Sequence, residues 1–113
     1  MARTLITVPS TAKRDEVIEI RALIQHPMET GYRRSSEGAM LSRDLIRRFT
    51  CRFEESGKSG NGEPIFSAIL YAAISANPFL SFHAVATGSG VFVFTWDGDN
   101  GFTQTERALL KVT

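Results

Sequence analysis

The sequence predicts an all-β domain folded as a two-layer antiparallel sandwich. Three observations predict it. Apolar residues recur with a period of two in one segment after another. Clusters of Gly, Pro, Asn and Asp separate those segments at fairly regular spacing. Almost no stretch carries the 3.6-residue period of an amphipathic helix. At 113 residues and 42% hydrophobic composition the chain is one domain, 1–113, with enough apolar material for a core without disulfides or metals.

Leu5 to Val8 reads as a short first strand closed by Pro9, and Pro9 to Asp15 as a polar connector. In Glu16 to Ile24, the residues Ile18, Ile20, Ala22 and Ile24 share one face, while Val17 and Leu23 keep the other from being wholly solvated. That strand ends in His26-Pro27-Met28-Glu29-Thr30-Gly31-Tyr32-Arg33. Pro27 withholds a donor and holds His26 extended, and Gly31 permits positive φ. An imidazole, a thioether, a carboxylate and a hydroxyl lie between them, more chemistry than a turn needs, so this loop is the first candidate for a working surface.

Arg34 to Ser42 is a polar excursion, and Asp44 to Glu54 the next strand. Its residues Phe49, Cys51 and Phe53 share a face, with Arg48, Thr50 and Arg52 on the other. Glu55 to Gly62 is a glycine-rich hairpin loop. Pro64 to Leu70 is a strand with Phe66, Ala68 and Leu70 aligned, and the Ala-rich piece up to Asn77-Pro78 suits one short helical turn. Phe79 to Ala86, Val91 to Trp96 and Phe102 to Val112 are the last strands, joined by a flexible Gly88-Ser89-Gly90 connection and an Asp97 to Gly101 turn. Seven short strands of this kind make an immunoglobulin-like sandwich, without the Cys…Trp…Cys framework of antibody domains.

Composition excludes several function classes. A net charge of +1 and a pI near 7.9 give no general electrostatic case for nucleic acid or membrane binding. No apolar run reaches the roughly 20 residues of a spanning helix, and with no long apolar run near Met1 the chain is expected to carry no export signal of its own. The single cysteine, Cys51, has no internal disulfide partner, and its place between Phe49 and Phe53 predicts a buried, inert thiol. His26 and His83 are each isolated in sequence, unlike the closely spaced ligand pairs of metal sites. No serine stands in a nucleophile-elbow setting. No catalytic residue, cofactor or resident metal is therefore expected. The alternative is a small metal or redox protein in which His26, Cys51 and His83 converge.

Two surfaces remain. Arg33, Arg34, Arg43, Arg47, Arg48 and Arg52 place six of the thirteen basic residues in a short stretch offset by only Glu37 and Asp44, a patch suited to anions or to a partner. Phe79, Val85, Val91 and Val93 lie opposite the core-facing residues, and part of that surplus is expected to meet another protein.

Four stretches in order carry a resemblance: Ala2-Arg3-Thr4-Leu5-Ile6, His26-Pro27-Met28-Glu29-Thr30-Gly31, Ala76-Asn77-Pro78-Phe79-Leu80-Ser81-Phe82 and Trp96-Asp97-Gly98-Asp99-Asn100-Gly101. Together they resemble SoxZ, the smaller subunit of the SoxYZ carrier of the bacterial sulfur-oxidising (Sox) system, over nearly the whole chain. The resemblance implies a non-catalytic, immunoglobulin-like subunit in a heterodimer with a SoxY-like chain. That partner holds the sulfur intermediate on a cysteine of its C-terminal arm, visits other Sox enzymes, and carries the pair into the periplasm with its own export signal. The final residues here, Arg107 to Thr113, contain neither cysteine nor glycine, which suits the supporting subunit. The Gly57–Gly62 loop is longer than the resemblance requires. Partner recognition is expected at His26, Pro27, Met28, Glu29, Gly31, Asn77 and Pro78, with Arg33 as an anion contact; neither nucleic acid nor membrane is expected. A stand-alone adhesion module is a third reading, disfavoured because such modules usually occur in tandem.

Overall fold

A computed structural model describes residues 2–32, 34, 36–40, 42–56, 64–71, 74 and 76–113. The period-two segments become strands β1 (Thr4–Thr7), β2 (Thr11–Ala12), β3 (Val17–Ile24), β4 (Ile46–Glu55), β5 (Pro64–Ile69), β6 (Phe79–Val85), β7 (Gly90–Gly98) and β8 (Thr103–Val112). They form a three-stranded sheet ordered β1-β3-β6 and a five-stranded sheet ordered β2-β8-β7-β4-β5. Burial alternates strictly along β3, where Ile18, Ile20, Ala22 and Ile24 point inward. β4 and β7 contribute Phe49, Cys51, Phe92, Phe94 and Trp96 from the facing sheet, all buried.

Phe49 is the centre of this core. Its ring lies 5.3 Å from Trp96 and 6.2 Å from both Phe82 and Phe94. Phe66 and Phe82, from opposite sheets, stack with centroids 4.2 Å apart and planes 3° apart, tying the two layers together. Full burial of each such side chain is worth about 1.5–3 kcal/mol.

The sandwich stands as expected, with four refinements. The connector Pro9–Asp15 contains an additional strand, β2, which pairs parallel to β8 through Thr11↔Lys111 and Ala12↔Val112; every other strand pairing among the described residues is antiparallel. Gly88-Ser89-Gly90 is a packed junction and not a flexible one: the Ser89 hydroxyl accepts the Val112 N–H at 2.8 Å, and a Cβ on Gly90 would meet the Glu54 carbonyl oxygen. Val93 is buried although it faces outward, because Arg52 and Arg107 flank it in register and long arginine stems cover apolar neighbours. Of the expected helical turn before Phe79, the described residues show one bond, from the Ile74 N–H to the Tyr71 carbonyl at 3.0 Å. Residues 72, 73 and 75 and the loop 57–62 lie outside the described residues.

The strand order positions the candidate site. β3 and β6 are neighbours in one sheet, while β4 and β5 belong to the other. Between β3 and β6 the chain therefore crosses between layers twice, once after β3 and once before β6. Leu23↔Phe79 pairing brings both crossovers to the same end of the sandwich.

Candidate partner-recognition site

The two crossovers are joined at His26. Its backbone N–H donates to the Asn77 side-chain oxygen at 2.9 Å, and its carbonyl accepts the Asn77 N–H at 2.7 Å. Asn77 adopts φ +54, a left-handed conformation that asparagine tolerates better than most residues, and this turns the chain into the buried Pro78. The Pro78 carbonyl then accepts the Ile24 N–H at 3.3 Å, continuing the ladder into the three-stranded sheet.

The imidazole is 5% exposed and built into the fold. Nδ1 accepts the Met28 N–H at 3.0 Å, so in the neutral ring the proton sits on Nε2, which faces Asp44 Oδ1 at 3.5 Å. That distance is at the outer limit of hydrogen bonding, and Nε2 has no hydrogen-bond partner among the described residues. Phe102 packs edge-on against the ring at 5.4 Å.

Met28 is the second fixed point. It also takes a left-handed conformation, φ +51, uncommon for an unbranched apolar side chain, and it is buried. Its sulfur accepts the Ile46 N–H at 3.3 Å, where β4 begins. Glu29 and Asp44 exchange both backbone hydrogen bonds at 2.7 Å, closing the excursion between them into a loop with a defined neck. Gly31, at φ +88, lies so near Arg43 that an added Cβ would come within 3.2 Å of the arginine Cβ.

Asp99 locks the far side. Its carboxylate receives Arg47 Nε at 2.6 Å, Arg43 Nε at 3.1 Å and the Leu45 N–H at 3.1 Å. The Arg47 hydrogen bond, helped by the Leu45 N–H and the Arg43 charge, holds this carboxyl below the ordinary aspartate range. Two of the six clustered arginines thereby share one carboxylate, which offsets one of their two charges.

Of the expected recognition residues, the structure gathers all the described ones into this one end. They divide by exposure. His26, Met28 and Pro78 are buried and shape the backbone; Pro27 and Asn77 are exposed, and Glu29 and Gly31 half-exposed. Arg33 lies outside the described residues.

Adjoining this end is part of the outward-facing apolar surplus expected from Phe79 and Val85. On the outer face of the three-stranded sheet, Leu5, Leu23 and Phe79 stand in one cross-strand row, with Leu5 65% and Phe79 55% exposed. Leu23 signals it in sequence, an apolar residue on the wrong face of an alternating strand. Leu5 becomes its neighbour only through the β1–β3 register. Below the row, the Glu19 carboxylate takes Arg21 and the Ser81 hydroxyl, chiefly the Arg21 bond lowering its pKa, and Val17 and Val85 form a second exposed pair.

His26, Cys51 and His83 do not converge. His26 is in the crossover, Cys51 in the interior, and His83 exposed on the outer face of β6 opposite Glu19. Among the described residues no three His, Cys, Asp or Glu side chains are grouped to hold a metal ion. Burial pushes the Cys51 thiol up to about 12. Among the described residues no helix is long and apolar enough to cross a membrane.

Comparison with known proteins gives fold and family. A search of curated protein sequences finds no match. A superoxide reductase (neelaredoxin) from Ignicoccus hospitalis superposes with a TM-score of 0.79 at 20% identity, covering 99% of this chain and 82% of that one. A putative superoxide reductase from Thermotoga maritima gives 0.77 at 14%, covering 97% and 85%. The sulfur carrier protein SoxY from Chlorobium limicola f thiosulfatophilum gives 0.65 at 12%, covering 97% and 78%. At such identities these likenesses concern the fold alone. The family described as sulphur oxidation protein SoxZ matches residues 6–108. With that match spanning most of its length, the chain belongs to the SoxZ family of sulphur oxidation proteins.

Proposed function

We propose that this chain is the non-catalytic subunit of a heterodimeric sulfur-compound carrier, supporting a SoxY-like chain that holds the sulfur intermediate on a cysteine. The observation that carries the reading is Cys51. Covalent sulfur transfer needs an accessible thiolate, and the one thiol of these 113 residues is wholly buried, with its pKa pushed up to about 12. A carrier built on these residues needs a reactive sulfur that they do not themselves supply. Family membership supports the partner's nature, and the exposed row Leu5–Leu23–Phe79 beside the rigid crossover supports a place for it to dock.

The mechanism is geometric. The His26–Asn77 bonds, the pinned Met28 and the Asp99 lock make one end of the sandwich stiff, so docking there costs little ordering of the chain. A partner held on a rigid face keeps its reactive arm free to enter enzyme clefts. The pair resides in the periplasm in this reading, exported through the partner's signal.

Co-expression with a SoxY-like chain and purification through a tag on that chain tests the pairing. A stable one-to-one complex in size-exclusion chromatography is expected. Failure to copurify, with both chains folded, overturns it. Fractionation with and without the partner's export signal tests the location; periplasmic recovery that does not depend on that signal would contradict co-export.

A further inference from the structure

β6 is an outer strand of the three-stranded sheet, paired with β3 along one side and with no strand along the other among the described residues. The direction of its backbone groups follows from the ladder. The Ala86 N–H donates to the Glu16 carbonyl and the Pro78 carbonyl accepts the Ile24 N–H, so residues 78, 80, 82, 84 and 86 turn both polar groups toward β3. Phe79, Ser81, His83 and Val85 turn theirs to the open side, where no backbone bond reaches them among the described residues. Such edges are usually guarded by proline, lysine or a bulge. β6 contains neither residue, and its register with β3 runs unbroken.

This edge is complementary to itself. In an antiparallel pairing of two copies about a two-fold axis at Phe82, Phe79 lies opposite the second copy's Val85, and Ser81 opposite the second copy's His83. Exposed apolar side chains then meet each other at both ends, with polar ones between them. Each of these pairs exchanges both backbone bonds. Sliding the copies by two residues sets Phe79 on His83 or Val85 on Ser81, and sliding by one turns the open groups out of register. Across β3, the outer row becomes Glu19, His83, the second copy's Ser81 and the second copy's Arg21, so no like charges stand opposite one another. On the inner face, the second copy's Leu80 comes opposite Ala84. A cavity of about 270 Å³ adjoins that alanine, walled by Phe53, Ile65, Phe92 and Leu110 of the facing sheet.

We infer that the β6 edge binds the β6 edge of a second copy of this chain, joining two three-stranded sheets into one. Backbone bonds supply the affinity and the Phe79–Val85 and Leu80–Ala84 contacts the register, as in other strand additions. A single pair of strands makes an interface at the small, transient end of the range. The edge shares Phe79 with the proposed docking row, but the inference concerns the chain alone and does not rest on pairing with a carrier chain.

Sedimentation velocity of the purified chain from about 1 µM to about 1 mM, the span of weak affinities, tests it together with amide shifts of the labelled protein over the same range. A concentration-dependent dimer is expected, with shifts largest at Phe79, Ser81, His83 and Val85. Val85→Lys sets a charge against the second copy's Phe79 and should weaken the dimer about tenfold or more. Ser81→Pro removes an outward N–H without touching the β3 ladder, a change edge strands tolerate, and should weaken it likewise. Leu109→Lys, on the exposed face of β8, should leave it unchanged. A monomer throughout the range would overturn the inference, as would a dimer that both β6 variants leave intact while folded. Shifts along the edge that arise only when a SoxY-like chain is added would overturn it too, by giving the edge a different occupant.

Discussion

At the scale of single residues, burial decides chemistry. Cys51 sits between Phe49 and Phe53 in sequence, which already marks it as a core side chain, and the structure closes the facing sheet over it. In the folded protein Cys51 should resist thiol reagents at neutral pH, and urea should expose one reactive thiol per chain. Rapid labelling of the native state would contradict both its burial and the need for a reactive sulfur from outside these residues. Cys51→Ser should cost about 1–3 kcal/mol, because the buried hydroxyl gains no sure partner, measurable by urea unfolding. Asp99 is the opposite case. It reads in sequence as a turn residue, and nothing local shows that Arg43 and Arg47 will meet it. Its folded pKa is depressed, so its contribution is fully present above the ordinary aspartate pKa and declines as pH falls through the lowered value. The stability gap between the wild type and Asp99→Asn should therefore be constant near neutrality and shrink below about pH 4. A gap that widens with acid would refute the lock.

At the scale of elements, strands were legible and crossovers only partly so. Alternation along Ile18, Ile20, Ala22 and Ile24, or along Phe92, Phe94 and Trp96, reports a half-buried strand without reference to any other part of the chain. Pro27, Gly31 and Pro78 likewise mark where the chain turns, since their backbone limits are intrinsic. The joining of the two crossovers was not legible, because it depends on bonds between His26 and Asn77, which lie far apart in sequence. Asn77 serves both as a left-handed residue and as a side-chain acceptor. Asn77→Gly keeps the first role and loses the second, whereas Asn77→Ala loses both. Alanine should therefore be the costlier change, by about 1–2 kcal/mol, in thermal or urea unfolding. His26→Ala removes the packed ring and orphans the Met28 N–H, for an expected loss of about 2–4 kcal/mol. A near-neutral result would show that the imidazole does not organise this end.

At the scale of the molecule, the inner faces of the sandwich are filled and the outer faces are not alike. The three-stranded sheet exposes Leu5 and Phe79 at one end and Val17 and Val85 at the other, around a satisfied Glu19–Arg21–Ser81 centre. The five-stranded sheet presents arginines and hydroxyls. If the apolar row is the docking face, Phe79→Glu should weaken the complex with a SoxY-like chain at least about tenfold, as truncation of an aromatic anchor does. It should leave the melting temperature of the chain itself within a few degrees, about 4 °C or less. Unchanged affinity would move the docking face elsewhere.

The sequence by itself determined the class of fold, the strands, the inertness of Cys51 and the family resemblance, because each rests on local periodicity, intrinsic backbone limits or motifs read in order. Only the tertiary structure decided which side chains share a site. The β1–β3–β6 register assembled the Leu5–Leu23–Phe79 row, the layer crossings brought His26 to Asn77, and the approach of the Asp99 turn to β4 joined two arginines to one carboxylate. Those pairings are set by sheet order and register, which depend on the packing of the whole core and leave no trace in any single stretch of chain.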